Sequence, residues 1–272
     1  MKNILWWIIP AVLTVGALYW VYEYERRPLP EVTAPQATAV PPAPSAPVTP
    51  PPPSHYPVPE VAPATGTDAL KDVPTLEQSD TSMRQALVGL VGQGPFDGLF
   101  WPKDIVRHLV ATVDNLPRAR VSQLVMPVKK AGGHFQVKNE GGTISIDPTN
   151  SARYRPYVDM LENIDSHRLV ALYVHFYPLF QQAYKDLGYP TGYFNDRLVV
   201  VIDDLLAAPE PTQPPKLLEP HLMYQYADPD IEALSGGQKM MIRMGPQNEA
   251  KVKKKLQDIR AQLTNPATQP KP

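Results

Sequence analysis

The sequence predicts an α+β fold, mostly α: a helical domain with one small antiparallel sheet or hairpin, behind an N-terminal transmembrane helix and a Pro-rich linker. Three observations carry that expectation. Residues Asn3 to Tyr22 include no charged side chain. Of the 36 residues from Pro28 to Pro63, 14 are proline. Beyond Asp68 the apolar residues recur mostly at helical spacing, and the period shortens only between about residues 123 and 147. The expected boundaries are 1–27 for the anchor and its flanks, 28–67 for the extended linker, 68–264 for the globular domain and 265–272 for a disordered tail.

Composition narrows the function classes. The chain has 272 residues, with 26 basic and 27 acidic side chains, 34 prolines and no cysteine. Soluble proteins average roughly 5% proline, so this chain cannot be one continuous packed domain. Without cysteine there is no disulfide framework, thiolate metal site or cysteine nucleophile. Near-zero net charge argues against nucleic acid held by bulk electrostatics.

The first element is the apolar run, expected to span a bilayer from Ile4 to Tyr22. Twenty helical residues are about 30 Å long, the thickness of the hydrocarbon core. Trp6 and Trp7 near one end and Tyr19, Trp20 and Tyr22 near the other resemble the aromatic belts found at headgroup depth. A cleaved signal peptide is the competing reading. The run is long for an h-region, however, and no small-x-small site follows it directly. Lys2 precedes the span and Arg26 and Arg27 follow it, so the positive-inside count is nearly balanced. The spacer that follows tips the orientation. It is rich in residues without amide donors, extends at about 3.1 Å per residue, and suits a domain held away from an inner membrane, in the periplasm.

Within the globular part, Ser79-Asp80 is expected to cap a helix that Gly92 ends. Trp101-Pro102 should start a second, closed by Asn115-Leu116-Pro117. Residues 123–128, 134–138 and 143–147 look like short strands, the last two joined through Asn139-Glu140-Gly141-Gly142. Asn150 should cap a helix to Ile164, and Asp165 or Ser166 another to Leu187, kinked by Pro178. Leu198–Ile202 resembles a buried strand, but at 100° per residue Asp196, Arg197, Asp203 and Asp204 fall opposite Leu198, Val201, Ile202, Leu205 and Leu206. That favours a helix, with Asn195 as its cap. Ile231–Met244, interrupted at Gly236-Gly237, and Pro246–Leu263 complete the domain.

Several motifs invite a reaction. Leu234-Ser235-Gly236-Gly237-Gln238 matches the signature of ATP-binding cassette ATPases. No G-x-x-x-x-G-K-[ST] accompanies it, so no nucleotide is expected, and two glycines bending the chain explain the match. The six histidines show no metal-ligand spacing, and no G-x-S-x-G marks a serine nucleophile. No cofactor or metal is therefore expected. Asp196, Asp203 and Asp228 are the acid–base candidates, against the simpler role of capping helices and pairing with arginines. Ten of the 41 residues from Tyr154 to Phe194 are Tyr or Phe. Tyr173, Phe176, Tyr177, Phe180 and Tyr184 follow helical spacing and read first as core, with a ring-lined groove for a glycan or peptide as the functional alternative. Lysines 251, 253, 254 and 255 read as a solvated face.

Val113-Asp-Asn-Leu-Pro-Arg118, Asn150 with Arg153-Tyr154, Tyr177-Pro-Leu-Phe180, Ala183-Tyr184, Gly188-Tyr-Pro190, Phe194-Asn-Asp-Arg-Leu198, Tyr226-Ala-Asp-Pro229, Gly237-Gln-Lys239 and Arg243-Met-Gly-Pro246 occur in that order. Through them the chain from Leu76 to Leu263 resembles the domain-of-unknown-function family 3014 of Gram-negative bacteria. The resemblance implies a single-pass envelope protein with a Pro-rich spacer and brings no catalytic residue with it. Its motif positions supply the candidate ligand-binding residues Arg118, Asn150, Arg153, Tyr154, Asn195, Asp196, Arg197, Gln238 and Arg243. Whether these form a site or brace helices stays open at this level. The expected function is a binding or scaffolding module that engages lipid through its N-terminal helix and an envelope protein or glycan through its domain. The alternative is an envelope hydrolase using Asp196 or Asp228 as acid or base.

Overall fold

A computed structural model describes residues 55–59, 73–219 and 223–264. The expected span from Ile4 to Tyr22, the linker apart from 55–59, and the 265–272 tail lie outside them. Among the described residues no helix is long and apolar enough to cross a membrane.

Helix α1 (Ser79–Val91) ends at Gly92, whose φ of 89° is left-handed. Its N-terminus departs from expectation, because Gln78 occupies the cap position and Asp80 does not cap its own helix. The Asp80 carboxylate instead accepts the amides of Asp104 (2.8 Å) and Ile105 (3.0 Å). It thereby caps α3 (Ile105–Asn115), which for that reason starts at Ile105 and not at Trp101-Pro102. Between them lies α2 (Gln93–Leu99), unexpected from the sequence because it holds Gly94, Pro95 and Gly98. Pro95 is harmless in a first turn, where its missing N–H would have no partner anyway. Phe96 is buried and stacks on Phe100 at 5.2 Å, giving the short helix its hold on the core.

The strand expected over 123–128 is a 3-10 turn at Gln123–Val125 followed by a single bridge, Phe100 to Val128. The hairpin is present as β1 (Val137–Glu140) and β2 (Thr143–Ile146), with Glu140 opposite Thr143. That register leaves Gly141-Gly142 as a two-residue turn, with φ of 58° and 86°, a conformation that favours glycine at both positions. Two strands unforeseen in the sequence, β3 (Lys216–Leu218) and β4 (Gln225–Tyr226), extend the sheet in the antiparallel order β1-β2-β3-β4.

Helix α4 (Ser151–Asn163) is followed by α5 (Ser166–Asp186), whose cap Asp165 accepts the Arg168 amide at 2.8 Å. The latter is continuous across Pro178. Residues 198–202 are helical, within α6 (Phe194–Leu206), as the angular argument requires. Then come α7 (Pro229–Ala233), α8 (Gly236–Arg243) and α9 (Pro246–Thr264). The break expected at Gly236-Gly237 falls just before those residues, which open α8.

Helix α5 is central, packing against α1, α3, α6 and α9. Its Phe176, Leu179, Phe180, Ala183 and Tyr184 join Met83, Leu87, Phe96, Ile105, Val106 and Val110 in the main core. The Val, Leu, Ile, Phe and Met side chains among them each contribute about 1.5–3 kcal/mol by leaving water. The helical aromatic spacing is thus largely core. A second cluster joins Val170 of α5, Val199 and Ile202 of α6 and Leu263 of α9. A third seals the sheet, through Ile146, Leu217 and Tyr226, against Ile242 of α8.

Candidate functional site

The motif residues gather in two neighbourhoods. The first is built on Asp114, in the last turn of α3 and 1% exposed. Arg118 donates to its Oδ2 at 2.6 Å, and Arg197 of α6 places Nε 3.1 Å from its Oδ1. Arg197 Nη2 also donates to the Asp114 carbonyl oxygen at 2.6 Å, and the Tyr189 hydroxyl lies 3.3 Å from Oδ2. A carboxylate this buried must be paired to stay charged, and two guanidiniums supply the pairing. Their positive charge also suits the C-terminal end of α3.

Leu234-Ser235-Gly236-Gly237-Gln238 docks onto the same helix end. Ser235 and Gln238 form a capping box at the start of α8, Ser235 donates its hydroxyl to Asp204 at 2.7 Å, and the Gln238 amide donates to the Asp204 carbonyl at 2.9 Å. The amides of Gly236 and Gly237 donate to the carbonyls of Arg118 (2.6 Å) and Leu116 (2.8 Å). A Cβ on Gly236 would lie 2.7 Å from Val121 Cγ2 and 3.1 Å from the Arg118 oxygen. The glycines are there for close backbone approach. Gln238 is therefore a brace between α6 and α8.

Asn195 and Asp196 occupy the start of α6. Asn195 does not cap the helix, whose cap position is held by Tyr193. The Phe194 amide is satisfied instead by Gln181 Oε1 of α5 at 2.9 Å, a partner that no local pattern reveals. Asn195 is fully buried, accepts the Tyr173 hydroxyl at 2.9 Å, and donates its amide to the carbonyl of Tyr56 at 2.9 Å. Asp196 accepts the Tyr56 amide on Oδ1 at 2.7 Å and lies 2.9 Å from His55 Nδ1 through Oδ2. Residues 55–59, from the Pro-rich stretch, thus lie along this ledge. The Tyr56 side chain packs into the α5–α6–α9 cluster, and the His55 ring is 4.3 Å from that of Tyr193. The signal in the sequence was slight: Tyr56 is the sole aromatic residue and His55 the sole histidine between Pro28 and Pro63. Burial raises the Tyr173 phenol well above its ordinary pKa and pushes Tyr177 up to about 12.

The second neighbourhood holds Asn150, Arg153, Tyr154 and Arg243. Asn150 does not cap α4 through its side chain. Its Oδ1 accepts the Gln136 amide at 2.9 Å, and its Nδ2 donates to the carbonyls of Gln136 (2.6 Å) and Asp147 (2.8 Å). Arg153 donates to the carbonyls of Gly132 and Gly133 and to Asn150 Oδ1, with its guanidinium 5.8 Å from the Tyr154 ring. These side chains pin the 131–136 loop. The Arg243 guanidinium lies 5.8 Å from the Tyr226 ring. Asn150 and Arg243 also line a cavity of about 280 Å³ between β2, the 211–215 loop and the start of α9. Glu249 faces it, 1% exposed and 3.1 Å from Lys253 Nζ, and burial raises its pKa against the pull of that lysine. Lys253 is accordingly a brace for α9, only 12% exposed, and is not part of a solvated face.

The three acid–base candidates do not meet. Asp196 holds His55 and Tyr56, Asp203 forms a two-pronged pair with Arg260, and Asp228 accepts the Asp230 amide as the cap of α7. No group of three His, Asp or Glu side chains able to hold a metal occurs among the described residues.

The family model described as "Protein of unknown function (DUF3014)" matches residues 105–260, a stretch that includes all nine candidate residues. No curated protein and no solved structure matches the chain.

Proposed function

Because the chain belongs to the DUF3014 family, which carries no assigned activity, we propose its function from its own geometry: a tethered binding or scaffolding module. In this reading the apolar N-terminal run is a single-pass inner-membrane anchor and the Pro-rich stretch a spacer. The helical domain then stands in the periplasm to hold an envelope protein or glycan.

The observation that carries it is the ledge at the start of α6. Two consecutive side chains, Asn195 and Asp196, take both the carbonyl and the amide of one residue of an extended segment. That is main-chain recognition, the basis of peptide binding, and it needs no reacting group. The other motif side chains have partners within their own domain: Asn150, Arg153, Arg197 and Gln238 bond backbone groups, Arg118 the Asp114 carboxylate, and Arg243 lies over the Tyr226 ring. A hydrolase would bring two polar groups to bear on one substrate atom. Asp196, Asp203 and Asp228 instead each keep a separate partner.

The test uses the full chain, solubilised in detergent, immobilised and exposed to an envelope extract. A module should retain a protein or glycan and release it chemically unchanged. Release of a cleaved product would overturn the module in favour of the hydrolase. Reporters fused after Pro272 test the placement: activity of a periplasmic reporter is expected, and activity of a cytoplasmic one alone would reverse it.

A further inference from the structure

We propose that the Tyr193–Asp196 ledge is a recognition site for an extended Tyr-Pro peptide, and that residues 55–59 of the same chain occupy it in cis as a built-in competitor. The inference rests on the binding-module reading and gives it a ligand class and a form of regulation.

Five contacts define what the ledge reads. Asp196 Oδ1 takes the Tyr56 amide at 2.7 Å and Asn195 Nδ2 supplies the Tyr56 carbonyl at 2.9 Å. These two contacts fix strand direction and register without regard to side chain. Selectivity comes from the other three. The tyrosine ring enters the cluster around Val170, Val199, Ile202 and Leu263, His55 Nδ1 lies 2.9 Å from the second oxygen of Asp196, and the His55 ring rests near that of Tyr193. Pro57 and Pro59 follow, and Pro59 is buried. Proline holds the backbone extended before binding, so little conformational freedom is lost on docking.

The strap has the features of an exchangeable ligand more than of a core strand. It contributes a single ring to the cluster, and its contact through His55 sits at an open edge, where the His55 side chain is 51% exposed and that of Asp196 26%, although Asn195 beneath the strap is buried. The strap and the helices fall within the same compact unit. A tethered segment presents itself at an effective concentration in the millimolar range, so a partner peptide of equal intrinsic affinity is held off until it is abundant or itself tethered nearby. Release of the strap would also free the spacer beyond Ser54, lengthening the reach of the domain. The absence of any other aromatic residue or histidine between Pro28 and Pro63 singles out this one point of the spacer for docking.

The experiment is fluorescence anisotropy with a labelled synthetic peptide spanning residues 53–61, titrated into the full chain in detergent micelles. With His55→Ala and Tyr56→Ala together the strap loses its three side-chain contacts and yields the ledge to the peptide, which should bind at least tenfold tighter than to the unaltered chain. Adding Asp196→Ala to that background should weaken binding at least tenfold, as should replacing tyrosine in the peptide by alanine. His55→Ala alone, which leaves the ring cluster intact, should give an intermediate gain and serves if the double variant does not fold. No binding to a folded, vacated chain, equal binding to vacated and unaltered chains, or indifference to Asp196→Ala would each overturn the proposal. So would a dimer that dissociates when His55 and Tyr56 are replaced, since the strap would then be exchanged between copies. If an envelope component is retained equally well by the Asp196→Ala chain, this proposal falls while the module reading stands.

Discussion

Asp114 illustrates how a single residue binds distant parts of the chain. It is buried, yet it pairs with Arg118 four residues on and with Arg197 on another helix. Removing its carboxylate leaves the part-buried Arg197 Nε without its partner, so Asp114→Ala should cost about 1–3 kcal/mol in urea unfolding. Arg118 is 57% exposed, and Arg118→Ala should cost under about 1 kcal/mol. Comparable losses for the two variants would show that Asp114 is not the centre of the network. Tyr177 carries a pH dependence. Burial raises its pKa to about 12 from an ordinary 10, so the folded chain binds more protons than the unfolded chain between those values. The stability it contributes is whole below about pH 10 and is lost as pH rises towards 12. Thermal melts between pH 9 and 12 should show that decline, made shallower by Tyr177→Phe; an unchanged slope would remove Tyr177 as its source.

At the scale of elements, helix ends are satisfied from afar. Asp80 on α1 caps α3, Gln181 on α5 serves the first amide of α6, and the opening glycines of α8 donate to the carbonyls of Leu116 and Arg118 in the turn after α3. Each arrangement ties two elements together and satisfies backbone groups that a helix end leaves without intrahelical partners. The α8 junction is the tightest. Gly236→Ala would press a methyl group against Val121 and the Arg118 carbonyl, and since backbone cannot yield as a side chain can, the expected cost is about 1–3 kcal/mol. Ser235→Ala, which removes only the cap hydroxyl, should cost about 1 kcal/mol. Chemical unfolding of both checks the order, and a neutral Gly236→Ala would mean that the junction has slack.

For the whole molecule, the ledge matters because a short segment of the Pro-rich stretch, residues 55–59, lies across it. Seated there, residues 55–59 are part of the fold. How much of this the sequence determined by itself follows from the range of the forces involved. Helical periodicity, the glycine stop after α1, the Asp165 cap, the Gly-Gly hairpin turn and the choice of helix over strand at 198–202 depend on residues within a few positions of one another. All of these were legible. The family followed as well, because its motifs are runs of neighbours. The tertiary structure alone decided the partners of Asp80, Asn150, Gln181 and Asn195, since a polar side chain can satisfy any backbone group the fold brings within reach and local order does not say which. It also decided β3 and β4, three and two residues long and too short to display an alternation, which form because the edge of β2 and the face of α8 are there to receive them. The same reason hid the ledge: Asn195 and Asp196 read as a cap and an acid until a segment some 140 residues distant in sequence is laid across them.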